Sequence, residues 1–341
     1  MKILVILTGG TIGSHIHDKL INVSDESVYL IMDLYQKQYG NDVDFDVIRP
    51  INMLSENFTP EQWNILCKTL RNIGPKDYDG VIITHGSDTL SYSAALIGML
   101  FCHAPVPIIL VASGYPLGHP KSNGLINFRN AVCFIKNSGL KGVYSIYRDY
   151  KGNDTVYLST RIKEADSFSD EFSSYGGVPF GYMQNEVFIP EVNKINPTFE
   201  QINSITEPTL KNSVVFEKDI LVIKPYTGLN YKFLNLDEKP ACVLHFLYHS
   251  STGCTSHGNY SLPEFIEKCR SKNIDFYLSS FKSGGTGIYD SSRILLESGA
   301  IPLVNISPEA ARAKLYIAYN QSEMSPREYI NKNLYFEHIY M

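Results

Sequence analysis

Short apolar runs alternate with helical patterns along most of the chain. Residues 2–7, 81–83 and 106–112 form such runs, bounded by glycine or polar residues, as is typical of strands buried on both faces. Between the runs, apolar residues recur at intervals of three and four, as on one face of a helix. This alternation predicts an α/β fold with a mostly parallel sheet flanked by helices.

Two helix starts are marked by a capping side chain followed by proline. Thr59 precedes Pro60, and Gln62 stands at the third helical position, where its side chain can bond back to the cap. Ser307 precedes Pro308 in the same way. Because proline is favoured at the first helical position, we expect a helix to begin at each proline.

The pattern indicates two domains. A polar stretch at residues 185–213 contains three prolines and few periodic aliphatic residues, and a buried strand is predicted after it at residues 220–223. We therefore expect a larger N-terminal domain over residues 1–190, a linker over residues 191–213, and a smaller C-terminal α/β domain over residues 214–341.

Composition narrows the possible classes of protein. The 341 residues carry a net charge of -5 with no basic cluster, so the electrostatic signature of a nucleic-acid-binding protein is missing. The N-terminal apolar run breaks at Gly9, too early for a secretory signal or a membrane span. The six cysteines lack CxxC spacing and the histidines lack metal-ligand spacing. We expect a cytoplasmic protein with reduced thiols and no metal or cofactor.

Hydroxyl side chains follow three of the predicted strands. Thr11 stands on a glycine hinge after the first strand, Ser55 follows the second, and Ser87 follows the third. Because ligands in open α/β sheets bind at the carboxyl ends of the strands, these hydroxyls are expected near a common site. Asp88, at the predicted cap of the next helix, adds a carboxylate beside helix N–H groups that can stabilise an anion.

The glycines after the first strand do not match a nucleotide-binding motif. They lack both the GxGxxG spacing of a dinucleotide site and the lysine of a P-loop, so a nucleotide-binding protein is disfavoured. The polar residues 14–25 that follow are expected to form a lid over a pocket. Taken alone, the sequence at residues 85–88 would more often mean that Asp88 caps a helix and His85 packs under the turn.

Several motifs in fixed order change that judgement. The chain reads TGGTIG after the first strand, SENFTPEQW near residue 60, ITHGSDTL near residue 83, GLINFRNA from residue 124, and LSTR followed by Lys163. Together they resemble the bacterial L-asparaginase family, most closely its cytoplasmic type I branch. The resemblance covers nearly the whole chain. It implies the two-domain α/β fold of that family and hydrolysis of the side-chain amide of L-asparagine, or of a related small amide, to L-aspartate and ammonia.

The resemblance also assigns roles to individual residues. Thr11 would be the nucleophile that forms an acyl-enzyme, while Ser87, Asp88 and Lys163 would handle protons. Ser55 and Asp88 would hold the α-carboxylate and the α-ammonium of the substrate. The substrate-binding residues it implies are Ser55, Glu56, Gly86, Ser87 and Asp88. It further implies a homodimer or homotetramer with active sites between paired subunits and no cofactor.

The sequence departs from the family pattern in several places. Ser87 stands where the family has threonine. Leu20 is the residue that aligns most nearly with the tyrosine of the family's lid. Asn123 replaces an aspartate, and residues 248–253 replace a glycine-asparagine turn. These departures leave open a second hypothesis, that the chain is a catalytically weak or inactive amino-acid-binding protein, such as a sensor, on the same fold.

Overall fold

The computed structural model describes residues 1–10, 12, 14–17, 20–23, 30–74, 77–283 and 287–340. It contains two compact units, described separately below. The first comprises Met1–Ser213 with Leu334–Phe336, and the second comprises Val214–Asn333 with Glu337–Met341. Residues 191–213 fall within the first unit, and their role as a linker stays a prediction.

The first unit is built on a large mixed sheet. The strands of this unit are β1 (Lys2–Leu7), β2 (Ser14–His17), β3 (Leu20–Val23), β4 (Asp44–Ile48), β5 (Gly80–Thr84), β6 (Pro107–Val111), β7 (Gly142–Arg148), β8 (Asp154–Leu158), β9 (Gly181–Gln184) and β10 (Val187–Pro190). Its helices are α1 (Leu30–Tyr39), α2 (Pro60–Ile73), α3 (Leu90–Phe101), α4 (Gly124–Asn137) and α5 (Phe199–Asn203). The sheet order is β10-β9-β8-β7-β6-β5-β1-β4, while β2 and β3 form a separate hairpin.

The five strands from β4 to β7 in this order run parallel, and β8, β9 and β10 extend the sheet in antiparallel fashion. Leu7 at the end of β1 pairs with Thr84 at the end of β5, and Thr84 pairs with Val111 at the end of β6. The connections after these strands therefore leave from one edge of the sheet. The predicted larger domain, a mostly parallel sheet with flanking helices, is confirmed.

Local signals explain how the elements near this edge begin. Helix α2 begins at Pro60 as predicted, and Thr59 and Gln62 form the expected reciprocal capping box. The prediction that Asp88 caps the next helix is wrong. The chain first makes a 3-10 turn over Ser87–Thr89, so α3 begins at Leu90, two residues after Asp88, and Thr89 takes the cap position.

The lid predicted over residues 14–25 contains regular structure. Its described backbone forms the antiparallel hairpin of β2 and β3, in which Ile16 pairs with Ile21. In this part the polar residues therefore form two paired strands rather than a loop, because the two short segments satisfy their backbone groups by pairing with each other. Its action as a lid stays a prediction.

The second unit contains a smaller parallel sheet. Its strands are β11 (Leu221–Ile223), β12 (Cys242–Phe246), β13 (Asp275–Phe281) and β14 (Ile301–Val304), in that order across the sheet. Its helices are α6 (Leu262–Ser271), α7 (Asp290–Glu297), α8 (Pro308–Asn320) and α9 (Pro326–Ile330). Helix α8 begins at Pro308 with Ser307 as its cap, as predicted. This unit confirms the predicted smaller α/β domain.

Other features of the described residues bear on location and chemistry. All six cysteines are free, and Cys254 is exposed whereas the others are buried. No helix within the described residues is long and apolar enough to cross a membrane. The described side chains also contain no group of three or more His, Cys, Asp or Glu residues arranged to hold a metal ion.

Candidate active site

Two glycines after β1 bring three strand-end turns together. Gly9 and Gly10 have φ values of 99° and 75°, which favour residues without a Cβ atom. A Cβ atom on Gly9 would lie 2.6 Å from the backbone nitrogen of Met53, and one on Gly10 would lie 2.5 Å from that of Gly86. The backbone N–H of Gly10 also donates to Met53 O at 3.1 Å. The turn after β1 therefore packs directly against the turns that follow β4 and β5.

Ser55 lies where the turns after β4 and β5 meet. Its side chain is 2% exposed and packs so closely on Gly86 that a Cβ atom on that glycine would lie 2.6 Å from Cβ of Ser55. Thr89 fixes this contact, since its hydroxyl donates to Ser55 O at 3.0 Å. Ser55 Oγ has no hydrogen-bond partner among the described residues. A buried hydroxyl without a partner costs about 1–3 kcal/mol, which a bound polar group would recover.

His85 supports the turn from below. Its backbone N–H donates to Val111 O at 2.8 Å, and its ring lies edge-on to Phe58 with centroids 4.9 Å apart. The side chain is buried, and burial lowers its pKa to about 4. With this pKa the ring is neutral near pH 7, and its proton is on Nδ1, which donates to Gly86 O at 2.9 Å. His85 thus packs under the turn and holds the carbonyl of Gly86.

Three carboxylates give this edge a negative potential. Partial burial raises the pKa of Asp88 above its usual value of 3.8, and the negative charges of Glu56 and Asp170 raise it further. Glu56 lies in the 3-10 turn that begins at Ser55, and Asp170 belongs to the loop after β8. Like charges that disfavour ionisation of Asp88 also favour binding of a positively charged group next to it.

Lys163 is half-buried in the loop after β8, and its backbone N–H donates to Ser173 O at 2.9 Å. Its neighbour Glu164 accepts a hydrogen bond from the hydroxyl of Tyr92, in the first turn of α3. The chain at Lys163 is therefore tied close to the start of the helix that follows Ser87. No described contact joins the lysine amine to Ser87 or Asp88, so its catalytic role stays a prediction.

The predicted site residues thus fall into three groups. The structure brings together the predicted substrate-binding residues in two adjoining turns: Ser55, Glu56, Gly86, Ser87 and Asp88. Lys163 lies on a neighbouring loop. Thr11 lies outside the described residues, although Gly10 before it and Ile12 after it are described. All the assigned roles stay predictions.

Sequence reasoning missed three contributors to this region. The sequence indicates Gly10 only as a hinge, yet this residue also forms the contact with Gly86. Thr89 ties Ser55 to the second turn, and Asp170 adds charge from a distant loop. The adjacent glycines are a usable signal for the first contributor. Nothing in the spacing of the sequence indicates the other two.

Asn123, one of the departures from the family pattern, has a clear structural role. Its side-chain oxygen accepts a hydrogen bond from Gly114 N at 2.9 Å, and its side-chain nitrogen donates to Arg148 O at 2.8 Å. It therefore ties the turn after β6 to the end of β7. Both bonds use the complementary groups of a side-chain amide, and an aspartate could not donate the second.

Comparisons with known proteins agree with this arrangement. The family model described as "Asparaginase, N-terminal" matches residues 2–193, more than half of the chain. The L-asparaginase of Thermococcus kodakarensis is 26% identical over 325 residues, covering 92% of each chain. A subunit of the glutamyl-tRNA(Gln) amidotransferase of Methanococcus maripaludis is 25% identical over 342 residues, covering 98% of this chain and 79% of that protein.

Solved structures show the same fold. The thermostable L-asparaginase of T. kodakarensis superposes with a TM-score of 0.80 at 22% identity, over 99% of both chains. L-asparaginase I of Vibrio cholerae gives 0.77 at 21% identity, over 99% of this chain and 98% of that one. The probable cytoplasmic L-asparaginase of Campylobacter jejuni gives 0.71 at 21% identity, over 98% of both. The predicted asparaginase-like amidohydrolase is thus confirmed at the level of the family: the chain belongs to the asparaginase family.

Proposed function

We propose that this protein hydrolyses the side-chain amide of L-asparagine, or of a related small amide, to L-aspartate and ammonia. One observation carries the proposal beyond family membership. The buried hydroxyl of Ser55 and the carboxylate of Asp88 belong to adjoining turns at the sheet edge, fixed by Thr89 and Gly86. A hydrogen-bond donor and a negative charge so placed suit the two charged groups of an amino acid.

The substrate would bind through opposite charges. Ser55 Oγ would donate to the α-carboxylate, and that bond would satisfy a hydroxyl that lacks a partner among the described residues. The α-ammonium would lie beside Asp88, whose pKa is raised by burial and by neighbouring negative charge. A cation there would relieve this repulsion and favour the ionised carboxylate.

The chemistry would use Thr11 as the nucleophile. Its oxygen would attack the side-chain amide carbon, releasing ammonia and leaving an aspartyl ester that water then hydrolyses. Ser87, Asp88 and Lys163 would move the proton from the hydroxyl to the leaving nitrogen. Backbone N–H groups in the glycine-flanked turns would stabilise the oxyanion. In support, Thr11 directly follows Gly10, which packs on Gly86 in the turn that carries Ser87 and Asp88.

We also propose that the protein is cytoplasmic and acts as a homodimer or homotetramer of the type I branch. The structural similarity to the probable cytoplasmic L-asparaginase of C. jejuni supports the location. Sedimentation of the purified protein tests the assembly, and a monomer at working concentrations would contradict it.

The function is tested by ammonia release from a panel of amides. Purified protein should release ammonia from L-asparagine and much less from amides without an α-ammonium. The panel includes L-glutamine, since the chain is also similar to part of an amidotransferase. Release from no member of the panel, combined with calorimetric binding of L-aspartate, would favour an amino-acid-binding protein.

Replacing Ser55 should separate binding from chemistry. In Ser55→Ala, we expect KM for L-asparagine to rise by about tenfold or more, because a hydrogen bond to a charged group contributes roughly 1.5–3 kcal/mol. The thermal midpoint should change little, since the hydroxyl has no partner among the described residues. Steady-state kinetics and thermal unfolding check both results, and an unchanged KM would exclude Ser55 from the site.

Asp88 should make substrate binding depend on pH. Because its pKa is raised above 3.8 and only the carboxylate attracts an ammonium group, kcat/KM should fall as pH falls through that raised pKa. Well below it, the fall should approach about tenfold per pH unit. Asp88→Asn should have a low kcat/KM at all pH values, and its pH profile should lack the fall on the acidic side. If the variant kept the same fall, another group would be responsible.

A further inference from the structure

A lysine is completely buried in helix α8 of the second unit. The side chain of Lys314 is 0% exposed, and its ammonium group has three partners from the C-terminal part of this unit. It donates to Glu337 Oε1 at 2.7 Å, to His338 Nε2 at 2.8 Å, and to Lys332 O. These bonds use all three of its N–H donors.

The bonds of His338 define its protonation state. An ammonium group has no lone pair to offer, so Nε2, which faces Lys314, must be an acceptor without a proton. A carbonyl oxygen cannot donate, so Nδ1, which faces Val304 O at 2.8 Å, must carry the proton. His338 is therefore a neutral imidazole, with each ring nitrogen committed to one partner.

Lys314 bonds the side chains of two residues in the segment 337–340, Glu337 and His338. Residues 337–340, here called the C-terminal strap, lie against the end of β14 within the second unit. His338 forms an antiparallel bridge with Ile306, and the backbone N–H of Ile339 donates to Asn305 O at 2.9 Å. Tyr340 lines a cavity of about 500 Å³ together with Asn305, Lys282 and Ser251, among other residues.

We propose that the C-terminal strap is an acid-released latch: a proton taken from water onto Nε2 of His338 breaks the bond to Lys314 and frees the strap from β14. Protonation replaces the acceptor lone pair with an N–H that points at a cation. Of its two described side-chain bonds to Lys314, the strap then keeps only that of Glu337, and as it moves away from the repelling ammonium the wall that Tyr340 gives to the cavity leaves with it. This inference concerns the second unit alone and does not depend on the proposed hydrolysis.

The charges around His338 fix the direction of the switch. Burial lowers the pKa of His338 below its usual 6.5, the positive charge of Lys314 lowers it further, and Glu337 opposes them. Glu337 is less effective because its carboxylate bonds Lys314 at 2.7 Å and lies 4.0 Å from His338. A released strap binds its proton at the ordinary pKa, so attachment is complete above about pH 6.5 and weakens as pH falls below it.

Hydrogen exchange of the Ile339 amide tests the proposal in the full chain. Between about pH 7.5 and pH 5, its protection factor, corrected for intrinsic exchange, should fall, by up to about 30-fold, the limit set by the ordinary pKa of about 6.5 of the released ring. In His338→Gln the side-chain amide can accept from Lys314 and donate to Val304 O without titrating, so protection should stay constant. Protection that is constant in the wild type, or that falls equally in the variant, would overturn the proposal.

A second readout does not depend on how the variant folds. The ring nitrogen signals of His338 in the wild type report its protonation directly, and their titration, which should lie below about pH 6.5, should be accompanied by loss of Ile339 protection. Glu337→Gln serves as the comparison, because it removes the buried carboxylate that bonds Lys314. In this variant the protection of the Ile339 amide should still fall with pH, because His338 is retained. Titration of His338 without any loss of protection would show that the strap is not a latch.

Discussion

Replacing Thr11 by alanine should lower ammonia release from L-asparagine by more than about 10³-fold, because no hydroxyl then remains to form the aspartyl ester. The thermal midpoint should stay close to that of the wild type, since the role assigned to Thr11 is chemical. Steady-state assays with thermal unfolding of the same preparation measure both quantities.

The matched control is Thr11→Ser, which keeps the hydroxyl and removes only the methyl group that restricts its rotation. We expect measurable activity in this variant, below that of the wild type. If Thr11→Ala instead unfolds the protein, the residue has a structural role. If it leaves turnover intact, the nucleophile is another group.

Gly10→Ala should cause a large loss of stability in the first unit. The new Cβ atom would lie 2.5 Å from Gly86 N, a backbone atom that cannot swing aside, and the residue would keep a φ of 75°. Overpacking and a left-handed backbone together should cost about 3 kcal/mol of the free energy of unfolding. Any folded fraction should lose activity, because the clash separates the turns that carry Thr11 and Ser87.

Gly40→Ala separates the two causes. Gly40 also has a positive φ, of 95°, but a Cβ atom there would meet nothing within 4 Å. It should therefore show the backbone strain alone, about 1 kcal/mol, with normal activity. Chemical denaturation of both variants measures the difference. Equal losses of unfolding free energy would mean that the contact of Gly10, after β1, with Gly86, after β5, does not support the site.

The grouping of the candidate site residues at one sheet edge could be predicted from the sequence because it depends on local patterns. Buried apolar runs identified β1 and β5, and parallel strands place their ends at one edge of a sheet. That rule correctly grouped Ser55 with the turn containing Gly86 and Asp88. The capping box likewise fixed the start of α2 to the residue.

Features that depend on distant contacts could not be found in this way. Asp170 reaches the electrostatic environment of Asp88 through the fold of the loop after β8, which leaves no periodic signal in the sequence. The 3-10 turn at Ser87–Thr89 and the bond from Thr89 to Ser55 displaced the predicted helix cap. Strand β14 and helix α9 are too short for hydrophobic periodicity to reveal them.

The most direct test is a crystal structure of the protein with L-aspartate, the proposed product. We expect the α-carboxylate within about 3.2 Å of Ser55 Oγ, the α-ammonium within about 3.2 Å of the Asp88 carboxylate, and the side-chain carboxylate in contact with the hydroxyl of Thr11. Aspartate bound away from these turns, or bound there with Thr11 out of reach of its side chain, would contradict the proposed site.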